Sequence, residues 1–186
     1  MNTLSINIIP SPISNDHQVR LLVDNEDWLG TYLGVDPTDF FDQKSFVEGI
    51  LLVGRCDCGV LGCDNIVVDV TSTNDTVHWK IRCGPERADL EFALEAYSEI
   101  LERARNDFSW EDANRRTERV IGNMFIHHKV DYVYEFEWAS CRIEDKKIVI
   151  AFRKPWLPEY KFLKLDWDGV SEDSAIAGAQ QVLSAR

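Results

Sequence analysis

Residues 65–83, NIVVDVTSTNDTVHWKIRC, constrain the fold of this chain more than any other stretch. Successive side chains of an extended strand point to opposite faces. In the first arm Ile66, Val68 and Val70 share one face, with Val67, Asp69 and Thr71 on the other. In the second arm Val77, Trp79, Ile81 and Cys83 share a face, with His78, Lys80 and Arg82 opposite. STND at 72–75 supplies turn chemistry. Two alternating arms about a polar turn predict an antiparallel hairpin. The nearly continuous apolar run FVEGILLV at 46–53 predicts a neighbouring, central strand.

The rest of the chain is read around that hairpin. Strands are expected at 3–9, 18–24, 131–140, 148–154 and 160–167. NEDWLGTYLG (25–34) opens with cap-type residues and ends on glycine, which predicts a short helix. Residues 36–43 read as one helical turn or a loop. In 86–107 the spacing of Leu90, Leu94, Tyr97, Leu101, Ala104 and Phe108 predicts one long amphipathic helix. Ser109 is the expected cap of a second, with Val120, Ile121, Met124 and Phe125 on its buried face. Tyr132, Tyr134, Phe136 and Trp138 are placed together on one strand face. Ser171 is expected to cap a last helix at 172–184. This order lacks regular βαβ alternation. It predicts a single α+β domain over 1–186, mainly antiparallel, with a central pair of long helices and a C-terminal helix.

A chain of 186 residues buries roughly 70 % of its unfolded surface. A metal is therefore not needed for folding. The formal net charge of −12 argues against nucleic acid, which needs a basic footprint, and against an anionic membrane surface. It permits a basic protein partner. The segment MNTLSINIIPSPIS has no basic n-region and no long apolar core, and no apolar run reaches membrane-spanning length. A cytoplasmic location is expected, with reduced cysteines.

GRCDCGVLGCD (54–64) concentrates three of the five cysteines in one loop. If Thr71 faces Thr76 across the hairpin, Asp64 faces Cys83, and Cys56, Cys58, Cys63 and Cys83 converge. Four thiolates suit tetrahedral zinc. The C-x-C-x4-C spacing is not that of common zinc knuckles. A tight loop whose cysteines pack as small hydrophobes is the competing reading. A redox loop is a third, with Arg55 and Arg82 as the cations available to lower a thiol pKa.

The segment GRCDCGVLGCDNIVVDV followed by TVHW is similar to uncharacterised bacterial proteins with the pattern GRCxCGxxGC, a short strand and a Val-x-Trp strand. The similarity covers about residues 50–80. It implies the hairpin and a bacterial origin, and it carries no activity and no catalytic residue.

Other constellations point less sharply. His127 and His128 with Cys141 form a Cys-His set without a local nucleophile signature. His78 reads as solvated. Glu135 and Glu137 share a predicted strand face, where cross-strand partners such as Arg153 are the commoner role. No P-loop, GxGxxG, GxSxG or HExxH motif occurs. Trp156, in the proline-flanked RKPWLPEY, and the acidic residues Asp36, Asp39 and Asp42 are the candidate contact residues for a protein partner. The expectation is a non-enzymatic, protein-binding chain of antitoxin or immunity type. The alternatives are a zinc-binding domain on the four cysteines, or an enzyme whose site is not recognised.

Overall fold

The computed structural model describes residues 1–14, 16–58 and 63–184. Within these, the chain is a mixed α and β protein with mainly antiparallel sheets and a C-terminal helix. It divides into two compact units, Met1–Trp110 and Glu111–Arg186. No helix among the described residues is long and apolar enough to cross a membrane.

In the first unit, β1 (Leu4–Pro10), β2 (His17–Val23) and β3 (Glu26–Asp27) form a three-stranded sheet. Asp24 and Asn25 join β2 to β3 with φ of 54° and 68°. Two consecutive positive φ angles are what a tight hairpin turn of the twist-matched kind requires, and Asp and Asn tolerate them. That turn overrides the helix expected over 25–34, where only β3 and β4 (Leu33–Gly34) form, joined by turns. Helix α1 (Pro37–Phe41) follows, with Asp36 as its N-cap accepting from Thr38 N at 2.9 Å.

The second sheet runs β4-β5-β6-β7-β8, with β5 at Gly49–Arg55, β6 at Asn65–Ser72, β7 at Thr76–Cys83 and β8 at Leu90–Ala93. The hairpin of β6 and β7 forms with the expected faces, but slipped by two residues: Ser72 faces Val77 and Val70 faces Trp79. Thr73 and Thr76 close the turn, with the Thr73 N–H donating to Thr76 O at 2.9 Å. At its far end Cys83 pairs with Val67, past a bulge, and not with Asp64.

The long helix expected over 86–107 is a strand followed by a shorter helix. Residues Leu90–Ala93 extend the sheet, and α2 covers Leu94–Arg105. Leu90 and Phe92 are buried by alternation, Tyr97 and Leu101 by helical spacing. Trp28, Trp79, Phe92 and Tyr97 make an edge-on and stacked aromatic group in the core, and Trp79 Nε1 donates to Tyr97 Oη at 3.2 Å. Burial pushes the Tyr97 hydroxyl far up.

In the second unit, α3 (Ala113–Phe125) is capped by Asp112, which accepts from Arg115 N at 2.8 Å, and not by Ser109. The sheet runs β12-β11-β10-β9, from β9 (Lys129–Val130), β10 (Tyr134–Ser140), β11 (Lys147–Arg153) and β12 (Tyr160–Asp166). Helix α4 covers Glu172–Ser184. Ile148, Ile150, Phe152 and Leu165 of the sheet share one buried core with Ile121 and Phe125 of α3 and Ala175 and Ala179 of α4.

Strand β10 does not keep one aromatic face. Phe136 faces Phe152, but Trp138 faces Ala151, the next residue of β11, so Glu137 is the extra residue of a bulge. Phe136 therefore points to the helices. Trp138 turns to the opposite face, against Phe162. Tyr132 precedes the strand in a turn at φ 59° and is exposed.

Candidate functional site

The cysteine loop leaves the sheet where β5 ends and returns where β6 begins. Gly54 and Arg55 pair with Ile66 and Asn65, so the residues flanking the loop are held at adjacent ladder positions. Space is tight at Gly54: a Cβ would lie 3.1 Å from Leu29 Cδ2 and 3.3 Å from Leu33 O. This close packing fixes the base from which Cys56 and Cys58 project.

The thiol groups of Cys56, Cys58 and Cys63 lie within 4.8 Å of one another. Cys56 is half-buried, while Cys58 and Cys63 are exposed. Cys83 is exposed and stands outside this group. The two-residue slip of the hairpin and the bulge beyond it explain that, since together they place Cys83 beside Val67. Residues 59–62, with Gly59 and Gly62, lie outside the described residues. No disulfide joins any cysteine among the described residues.

The three thiols are electrostatically unequal. Cys56 is held below the ordinary thiol range, first by a hydrogen bond from the Cys58 side chain, with backbone N–H groups of Cys58 and Asp64 and the Cys63 side chain adding to it. Donors converging on one sulfur favour its thiolate. Cys63 is pushed up to about 11, first by its hydrogen bonds to Cys58 and Cys56 and then by their charge. Cys56 thus gives up its proton more readily than Cys63 beside it.

Two residues the sequence reading missed complete the surroundings. The Tyr32 hydroxyl donates to Asp64 Oδ2 at 3.0 Å, and that bond raises the Tyr32 pKa. They lie 32 residues apart in sequence, and Tyr32 fell inside the expected helix of 25–34, so no local signal linked them. Both expected cations have other partners. Arg55 Nη2 donates to Gly34 O at 3.4 Å, and Arg82 pairs with Asp69 at 3.1 Å.

The other candidates take structural partners. Cys141 is buried and pushed up to about 12, chiefly by desolvation and then by the charge of Glu118. His128 packs edge-on against Phe125, and His127 is exposed. His78 shares a hydrogen bond with Thr76 Oγ1 at 2.9 Å. Glu135 accepts from Lys129 Nζ at 2.7 Å and Glu137 from Arg153 Nη1 at 3.1 Å, the cross-strand role. Asp36 serves as the α1 cap, and Asp39 and Asp42 are exposed.

Trp156 is 96 % exposed at φ 66°. Leu157 N bonds back to Lys154 O, so Pro155 and Trp156 are the central residues of a turn. Positive φ at the second central position normally calls for Gly or Asn. Beside the turn, the outer sheet face carries Trp138 and Phe162 in one cross-strand row, with Tyr160 stacked on Phe162 at 6.0 Å.

Comparison of the chain with protein-family models, curated proteins and solved structures finds no match.

Proposed function

We propose that the first unit binds a thiophilic ion through Cys56, Cys58 and Cys63. The observation that carries this is the gathering of three thiols within 4.8 Å of one another at the mouth of a rigid strand pair. Soft thiolates select zinc, copper(I) and related ions over hard cations. The N–H donors aimed at Cys56 resemble the outer-shell support that ligating groups receive in metal sites. Zinc on Cys56, Cys58, Cys63 and Cys83 was the four-ligand expectation; the reading now rests on the three that meet.

The test is native mass spectrometry of the reduced chain against a panel of zinc, cadmium, copper(I) and arsenite. One ion per chain should be retained, and lost in Cys56→Ser. Retention of none of the four ends this reading.

A second reading keeps a protein partner, and Trp156 favours it. A bulky side chain held at positive φ and left almost wholly in solvent stores strain without burying anything. Together with Leu157, Tyr160 and Phe162 it offers an aromatic anchor of the kind enriched in interface centres. A basic partner fits the first unit, with nineteen acidic against eight basic side chains, Asp36, Asp39 and Asp42 among them. Affinity capture from the host should yield a partner that Trp156→Gly loses. Equal capture by both chains would remove Trp156 from the reading.

A further inference from the structure

We propose that the three-thiol loop takes a trivalent, three-coordinate thiophile, with arsenite the simplest probe, in preference to a four-coordinate divalent ion. This rests on the reading of Cys56, Cys58 and Cys63 as a soft-ion site.

Coordination number comes first. Structural zinc is closed by four protein ligands. Here no further Cys, His, Asp or Glu among the described residues joins the three. The four loop residues outside them, Gly59, Val60, Leu61 and Gly62, carry no ligating side chain. The carboxylate adjoining Cys63, Asp64, accepts the Tyr32 hydroxyl. Three sulfurs are what the loop supplies, and three is the full valence of As(III).

Proton balance points the same way. A divalent metal binds thiolates, so every ligand must lose its proton. With the three sulfur atoms within 4.8 Å of one another, that places three like charges together. Arsenite has no such requirement. As(OH)3 and three Cys–SH give As(S–Cys)3 and three waters. Three As–O and three S–H bonds break, three As–S bonds form, and each thiol proton leaves on a departing hydroxide. Arsenic stays trivalent and no electron is transferred.

Charge is the third argument. The arsenic tris-thiolate is neutral, whereas zinc with three thiolates carries one negative charge. That charge would be added to a loop whose sequence already carries Asp57 and Asp64, in a unit rich in acids. Exposed Cys58 and Cys63 leave an entry path.

The experiment titrates the full chain, reduced with a phosphine, with arsenite and with zinc in parallel. Arsenite is expected to add one arsenic and expel three waters. Its affinity should stay nearly flat between about pH 6 and pH 8, while zinc affinity climbs with pH because zinc releases protons. Cys58→Ser and Cys63→Ser should each weaken arsenite by about a hundredfold or more, and Cys83→Ser should leave it unchanged. Tighter zinc than arsenite across that range, or arsenite binding that survives Cys63→Ser or is lost in Cys83→Ser, overturns the three-coordinate assignment. The thiol-site reading survives those results; it falls only if neither ion binds.

Discussion

The two units differ in charge balance and in the sign of the charge they bury. Residues 1–110 hold nineteen acidic and eight basic side chains, whereas residues 111–186 hold thirteen and twelve. The first unit's core is aromatic and aliphatic around Trp79, and its reactive groups lie out on a loop. The first unit buries a cation, Arg20, on Asp27 and the carbonyl groups of Tyr32 and Gly30, whereas the second centres a buried network on a carboxylate. Glu118, 7 % exposed, accepts from Ser140 Oγ, Cys141 N and Arg142 Nε at 2.8–2.9 Å and lies 3.6 Å from Arg115 Nη1. What the contrast teaches is that one chain can keep its chemistry where sulfur is accessible and its specificity where charge is buried. A buried ion network adds little net stability, yet losing one member is expensive.

The largest effect should come from that network. Glu118→Ala leaves buried guanidinium and N–H groups without their acceptor and should cost about 3–5 kcal/mol. Three tryptophans report on each unit, Trp28, Trp79 and Trp110 against Trp138, Trp156 and Trp167. Single-tryptophan variants followed through denaturant should show the loss at the second unit's probes. An equal loss at both would break the contrast.

The first unit has its own sensitive point. A Cβ on Gly34 would lie 1.9 Å from Val19 O, a contact that only backbone movement relieves. Gly34→Ala should cost about 2–3 kcal/mol, the overpacking range or its upper end. A midpoint within error of the parent chain would show that the strands part easily there.

A gain is expected at Trp156. Trp156→Gly removes the positive-φ penalty and should raise stability by about 1 kcal/mol while lowering partner capture. Unchanged stability would remove strain from the account.

The smallest effect is a pH shift common to both units. Asp24 is held below the usual carboxylate range, first by Asn2 and then by Thr3 N, and Asp168 by Ser171 N and Val170 N. A carboxylate with a lowered folded pKa contributes stability above its unfolded value of about 3.9, and this is lost as pH falls through the folded value. Carbon-detected NMR titration should place both midpoints below an unstructured Asp.

Much of the fold was legible, and its errors share a cause. Alternation identifies faces, and a slip of two residues leaves every face unchanged. Val70 opposite Trp79 satisfies the pattern as well as Val70 opposite Val77, so the β6–β7 hairpin was readable while its register was not. That slip, with the bulge beyond it, separates Cys83 from the other thiols. Strand β8 was hidden similarly: Leu90, Leu94, Tyr97 and Leu101 fit helical spacing, and Ala93, the N-cap of α2, makes no side-chain capping bond to mark the boundary. The clustering of Cys56, Cys58 and Cys63 was legible because all three come from one loop. Tyr32 and Asp64 meet only through tertiary structure.

The single extra residue at Glu137 has a consequence for how this region tolerates length change. Deleting it would close the ladder without changing the frame, because Phe136 would stay opposite Phe152 and Trp138, now its direct neighbour, opposite Ala151. The core would keep Phe136 and the outer face its indole. What would go is the local kink and the Glu137 carboxylate that accepts from Arg153 Nη1. Removal at this position should therefore be about as mild as substitution, because the residue lost is the one the partner strand does not count.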